Sequence, residues 1–291
     1  ILGLLLLGPR PVLSAIPFTA DEALSYQRVS GAAISPGGEW AAYTVSVPRA
    51  ADDEASGAYS ELWIVSTKKG APKPFITGKV NVSAPQWSPD GLYVSFVMAR
   101  GEKAKTQVWM IPLAGGEAMQ VTSSETGVAS YRWNPRGGRI AYVATASASK
   151  REKELDKKGY GFTFYEENLR DRDLYLLAVG PDGGVGAAKP ITSGCSVWSF
   201  EWSPDGATIA AGVSPKNLVD QQYMFQKIHL IDVATKERRQ LTDNPGKLGN
   251  FAWSPDGDRI AYNAAKERRE HAERQVYVVD AAGGEAKHLP A

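Results

Sequence analysis

One five-residue phrase recurs along the chain: "WSPDG" at Trp87–Gly91, "WNPRG" at Trp133–Gly137, and "WSPDG" again at Trp202–Gly206 and Trp253–Gly257. Each residue type in it has a reason. Proline pre-sets φ at the second position of a turn, aspartate tolerates the bridge or left-handed region, and glycine takes the positive-φ position. The phrase therefore reads as a hairpin turn joining two strands, with its tryptophan left to pack between neighbouring units. An aspartate-based metal box is the other reading. Arg136 replaces the aspartate in the second copy, which a metal site shared by the repeats would not tolerate. The phrase is scaffold.

Working outward, each turn is followed by an apolar strand: "LYVSF" from Leu92, "RIAYV" from Arg139, "TIAAG" from Thr208 and "RIAY" from Arg259. A strand with an aromatic or histidine at its centre comes next: "ELWIV" from Glu61, "QVWMI" from Gln107, "DLYLL" from Asp173, "KIHLI" from Lys227 and "QVYVV" from Gln275. A last short strand closes each unit, and a weaker first copy opens as "ISPGGEWAAY" at Ile34, giving five copies. The closing threonines are Thr77, Thr122, Thr192 and Thr242, in steps of 45, 70 and 50 residues. Steps of 45 to 50 residues with four strands each are those of propeller blades, and no helical period recurs to favour a solenoid. The expected fold is all-β, a β-propeller of four-stranded antiparallel blades spanning residues 33–291, with about five blades visible.

Composition agrees with short strands and tight turns: 29 glycines, 18 prolines, eight tryptophans and twelve tyrosines. With 33 basic against 32 acidic residues, the chain carries no electrostatic footprint for nucleic acid or an anionic membrane surface. The single cysteine, Cys195, excludes an internal disulfide, and His229, His271 and His288 lie at no metal-ligand spacing. No metal or other cofactor is expected. At the front, "ILGLLLLG" is too short to span a bilayer and resembles the tail of a secretory signal peptide, a remnant over residues 1–15. Export to the periplasm or medium follows as the expectation, with no integral membrane segment. Between them, residues 16–32 form a lead-in, where Thr19 and Glu22 compose a capping box for a helix from Ala20 to Arg28.

The 70-residue step holds a charged insertion over about residues 145–172, and propeller insertions gather in loops on one face. Its first half, Lys150–Lys158, reads as a solvated helix or loop. Its second half sets Phe162, Phe164 and Tyr165 beside the carboxylate pair Glu166 and Glu167. Such a pair, walled by aromatics, could hold a cation such as the α-ammonium of a peptide. The competing reading is an exposed loop, because adjacent residues of a strand point to opposite sides. A milder excursion, Ser214–Gln226, reads as a longer hairpin loop.

No catalytic constellation is present. "GCSVW" at Gly194 and "GVSPK" at Gly212 lack the final glycine of a nucleophile elbow, and Cys195 reads as a buried structural thiol. No dinucleotide loop or P-loop occurs.

The lead-in "FTADEALSYQRVSGAAISPGGEWAAYTVS" from Phe18, followed by tandem "WSPDG…IAY" blades, resembles the N-terminal propeller of prolyl oligopeptidase family serine peptidases, in their acylaminoacyl-peptidase and dipeptidyl-peptidase branches. TolB-type periplasmic propellers carry the same turn phrase. The resemblance implies a propeller that gates and binds peptide substrate, partnered by an α/β-hydrolase domain with the Ser-Asp-His triad downstream. No triad residue transfers to this chain, so catalytic residues are none. Family propellers have seven or eight blades, which implies that this chain leaves the propeller incomplete. In the dipeptidyl-peptidase branch a Glu-Glu pair in a propeller insertion binds the substrate's free N-terminus, and "YEEN" at Tyr165 looks similar. The alternatives are a non-enzymatic TolB-like propeller that binds a protein partner, and a ligand-binding propeller of another kind.

Overall fold

The computed structural model describes residues 19, 22, 25–161, 166, 168–268 and 275–290. Its strands form five four-stranded sheets, each an antiparallel meander in chain order. Blade 1 consists of β1 (Arg28–Ile34), β2 (Trp40–Val47), β3 (Tyr59–Ser66) and β4 (Lys73–Ile76). Blade 2 has β5 (Ser83–Trp87), β6 (Tyr93–Met98), β7 (Gln107–Pro112) and β8 (Met119–Gln120). Blade 3 has β9 (Ser130–Trp133), β10 (Arg139–Thr145), β11 (Arg172–Ala178) and β12 (Lys189–Pro190). Blade 4 has β13 (Ser196–Trp202), β14 (Thr208–Ser214), β15 (Lys227–Asp232) and β16 (Arg238–Gln240). Blade 5 has β17 (Leu248–Trp253), β18 (Arg259–Ala264), β19 (Gln275–Asp280) and β20 (Lys287–Leu289). The propeller reading holds, down to the count of five.

The repeated phrase performs two jobs. Within a blade it is the turn from first to second strand. The Ser88 hydroxyl donates to Asp90 Oδ1 at 2.5 Å and accepts from the Tyr93 N–H, while the Gly91 N–H donates to the Ser88 carbonyl. The same bonds recur around Ser203 with Asp205 and around Ser254 with Asp256. Gly91, Gly206 and Gly257 all have φ between +72° and +80°. In blade 3 Asn134 stands in for the serine: its Oδ1 accepts the Arg136 N–H and its amide donates to the Gly206 carbonyl of the next blade. That substitution frees position 136 from being aspartate.

Between blades the phrase supplies an indole donor. Trp87 Nε1 donates to the Ala33 carbonyl (2.9 Å), Trp202 to that of Arg132 (3.3 Å) and Trp253 to that of Glu201 (3.3 Å). Trp133 donates instead to Ser95 Oγ of blade 2 (2.8 Å). Each acceptor belongs to the preceding blade, so every tryptophan ties its blade to the one before. Trp87 and Trp202 are buried, and Trp133 and Trp253 are half-buried. An indole taken from water stabilises by about 2–3 kcal/mol. The core is correspondingly a series of seams: one apolar cluster lies at each junction between consecutive blades.

Because each sheet is an antiparallel meander, the chain's connections sort by end. First-to-second and third-to-fourth strand turns lie at one end, the turn face. Second-to-third connections and the passages between blades lie at the other, the loop face. Two features differ from the sequence reading. β1 already begins at Arg28 and pairs with β2 from there (Arg28 opposite Ser46), so strand starts inside the expected helical lead-in. Of that helix, Glu22 and Ser25 are helical, and Thr19 and Glu22 exchange the capping-box bonds. The excursion after β14 is not a plain loop: it carries the short helix α2 (Val219–Met224), with Asp220 favourably placed in its first turn. Residues 1–15 lie outside the described residues.

Candidate functional site

First strands of neighbouring blades lie side by side, and between them runs an axial cavity of about 660 Å³. Its charged lining comes from one repeat position, the residue just before the tryptophan. That position holds Gln86, Arg132 and Glu201 in blades 2, 3 and 4. Arg132 Nη2 meets Glu201 Oε1 at 2.6 Å, and Arg132 Nε donates to the Phe200 carbonyl. Burial pushes the Glu201 carboxyl up, and the Arg132 charge opposes that shift. Gln86 Nε2 donates to the Tyr131 carbonyl at 2.8 Å, which fixes the amide across the seam. Beneath it the buried Tyr131 hydroxyl donates to the Ala84 carbonyl and pairs with Ser95 Oγ, and burial raises its pKa. The Ser130 hydroxyl, also lining the cavity, is buried with no partner among the described residues.

Trp198 forms the cavity wall beside the register shift in β13 between Val197 and Ser199. Its Nε1 donates to Ser214 Oγ at 2.8 Å. The Arg172 guanidinium lies 4.7 Å from the Trp198 ring centroid, and Arg172 Nε donates to the Val197 carbonyl. Arg172 is the first residue of β11, directly after the charged insertion, so this stack anchors the insertion's exit to blade 4.

The insertion itself opens with α1 (Lys150–Lys157), which Ser149 and Glu152 close with a full capping box. None of its side chains is buried, and Lys153 pairs with Glu125 of the blade 2–3 passage at 2.6 Å. Further along, the Asn217 amide of the blade 4 excursion donates to the Arg170 carbonyl, joining the two longest connections of the loop face. Glu166 is exposed on a turn with φ +57°. Glu167 and Tyr165, with Phe162 and Phe164, lie outside the described residues, so the spacing of the two carboxylates is not defined. Cys195 is buried and its thiol is pushed up by burial, as suits a structural residue.

Sequence reading passed over Arg132, Glu201, Trp198 and Arg172. The first two had a signal. "RW" and "EW" place opposite charges at one repeat position of consecutive blades, and a propeller sets such positions next to each other around its axis. Trp198 and Arg172 had none, because a bulge and the exit of an insertion set them.

The class defined here is a β-propeller with a lined axial cavity, tight turns at one end and the longer connections at the other. Comparison with known proteins adds relatives to that class. No protein-family profile matches the chain. It is 25% identical over 263 residues to the uncharacterized peptidase YuxL of Bacillus subtilis, covering 90% of this chain and 33% of that protein. It is also 25% identical over 296 residues to dipeptidyl-peptidase 5 of Porphyromonas gingivalis, covering 93% of this chain and 42% of that one. The chain thus spans between a third and a half of the length of these curated relatives. Among solved structures, an acylaminoacyl peptidase of Pyrococcus horikoshii superposes with a TM-score of 0.63 at 18% identity, over 91% of this chain and 40% of that one. A TolB-like protein of Agrobacterium tumefaciens gives 0.57 at 17%, over 90% and 80%. The resemblance read from the repeat therefore stands: peptidases in sequence, and TolB and acylaminoacyl peptidase propellers in fold.

Proposed function

We propose that this chain is the substrate-gating and substrate-binding propeller of an exported serine peptidase. The nucleophile, base and oxyanion donors would come from an α/β-hydrolase domain elsewhere in the protein. The observation that carries the reading is similarity to two named peptidases across nine-tenths of the chain. The geometry supports it, because a lined axial cavity and long connections offer a peptide both a passage and a rim. Among the described residues no helix is long and apolar enough to cross a membrane.

Within this reading Glu166 and Glu167, walled by Tyr165, receive the α-ammonium of a peptide substrate. A free ammonium entering a cavity of low dielectric is costly unless anionic acceptors meet it. The test uses the protein expressed from its whole reading frame. A fluorophosphonate should label one serine in it and none in the 291-residue chain. Changing Glu166→Gln together with Glu167→Gln should raise KM for free-N-terminus peptides and leave blocked ones unchanged. Equal effects on both substrate types would remove the carboxylate assignment. Absence of any labelled serine would favour the second reading, a TolB-like propeller that binds a protein partner, which the fold likeness over 80% of the TolB-like chain supports.

A further inference from the structure

The axial cavity is ordered along its length. Each first strand runs from the loop face to the turn face, so its early residues lie near the loops and those beside the seam tryptophan near the turns. Toward the loop end the wall is made of the small residues Ser83, Ala129 and Gly249 and one large one, Trp198. The register shift in β13 puts Trp198 there, since a bulge leaves a residue unpaired and re-aims its side chain. Its Nε1 is spent on Ser214 Oγ and its ring carries the Arg172 guanidinium. What Trp198 offers the cavity is therefore apolar ring surface held in one place. Toward the turn end stand Arg132 and Glu201. Trp198 and Glu201 are three residues apart on β13, which separates the two ends by roughly 10 Å.

The cavity has no net charge. Arg132 and Glu201 are the only charged residues among its described lining, and each neutralises the other. A bound carboxylate would compete with Glu201, and a bound ammonium with Arg132. Either would leave a charge unbalanced in a partly desolvated place. Hydrogen-bonding capacity, by contrast, is left over. Arg132 bonds through Nε and Nη2 and Glu201 through Oε1, so Nη1 and Oε2 have no partner among the described residues. Ser199 and Asn250 are exposed to the same space, and the Ser130 hydroxyl is buried unpaired. Donors and acceptors thus stand together around a neutral centre. A peptide bond is neutral and presents one of each.

We propose that the axial cavity binds an uncharged, extended stretch of polypeptide about three residues long. An apolar side chain of that stretch lies on the Trp198 ring. A peptide bond nearer the turn face points its carbonyl at Arg132 and its N–H at Glu201. The inference rests on the peptide-binding reading above and sharpens it: this cavity takes the interior of a chain, whereas the Glu166 and Glu167 pair takes its charged start.

The experiment is fluorine NMR of the protein expressed from its whole reading frame, with fluorotryptophan in place of tryptophan and treated with the fluorophosphonate so that no peptide is cleaved. The probes are acetyl-Ala-Leu-Ala amide, its free acid, and acetyl-Ala-Gly-Ala amide. All lack an α-ammonium, so none engages Glu166 and Glu167. The Trp198 resonance, identified by its loss in Trp198→Phe, should shift with the leucine amide. Binding read from that shift should be roughly fivefold weaker for the free acid, whose charge is unbalanced. It should be roughly tenfold weaker for the glycine peptide, which has no side chain to bury. Glu201→Gln should reverse the preference between amide and acid, because the freed Arg132 charge then favours the carboxylate. Should either variant fail to fold, calorimetry of the three peptides on the unaltered protein reads the same order. A Trp198 resonance that does not respond, equal affinity for the leucine and glycine peptides, no preference for the amide, or an unchanged order in Glu201→Gln overturns the inference. The peptide-binding reading falls with it only if free-N-terminus peptides also fail to bind and the fluorophosphonate labels no serine.

Discussion

The two ends of this propeller are built from different physics. At the turn face, the copies of the tryptophan phrase close their turns with similar bonds inside each blade, and each indole finds its acceptor in the preceding blade. Gly206 shows how tight that end is: a Cβ there would lie 2.3 Å from Asn134 Oδ1 of the adjacent turn. At the loop face the passages start alike, with Thr122, Thr192 and Thr242 each accepting a third-strand N–H, but the second-to-third connections differ in length from blade to blade. α1 buries nothing, and Gly159 behind it has φ +83° with open space where a Cβ would stand. A repeated end that bears on its neighbours holds the blades together. The second-to-third connections that vary in this way are available for binding.

The largest expected effect tests the claim that the tryptophans are the seam. Trp202→Ala should lose about 3–5 kcal/mol in urea denaturation, as buried aromatic truncations do. A loss under about 1 kcal/mol would mean that the seam can close without the indole. Next comes Gly206→Ala, which adds both the clash with Asn134 and a side chain at φ +72°. It should cost on the order of 2–3 kcal/mol, against about 1 kcal/mol for Gly159→Ala, which meets only the conformational penalty. Equal losses at the two glycines would erase the contrast between the faces.

A pH-dependent effect comes from the blade 3–4 side of β15. Burial first, and the Arg238 charge second, hold the His229 imidazole down at about 4, and its Nδ1 has no partner among the described residues. The folded state therefore keeps this ring neutral while the unfolded chain takes up a proton below about pH 6.5. Its contribution is fully present above that pH and is lost as pH falls toward 4. With partial solvent exposure, the loss should be on the order of 1–2 kcal/mol. His229→Gln should flatten that portion of the stability–pH curve, measured as urea midpoints at pH 7 and pH 5.

The smallest effect belongs to the loop face. Ser149→Ala removes the α1 cap, which costs the helix about 1 kcal/mol locally. The global urea midpoint should shift by less than the equivalent of about 0.5 kcal/mol, since α1 can fray without uncovering a seam. Faster amide exchange confined to residues 150–157 would be the positive sign. A global loss as large as that of Gly206→Ala would make the insertion part of the scaffold.

The sequence by itself determined the blades. Turn chemistry is local: serine, proline, aspartate and glycine within five residues dictate a hairpin. The spacing of four such turns then counts the blades, and Thr19 with Glu22 showed its capping bonds for the same local reason. Tertiary structure alone decided what those turns do to one another. That Asn134 relieves position 136 of its aspartate, and that Arg132 meets Glu201 in the axial cavity, depend on residues about 70 positions apart being brought side by side. The strand at Arg28 and the helix at Val219 were misread because pairing with β2 and placement on an open rim outweighed weak local preferences.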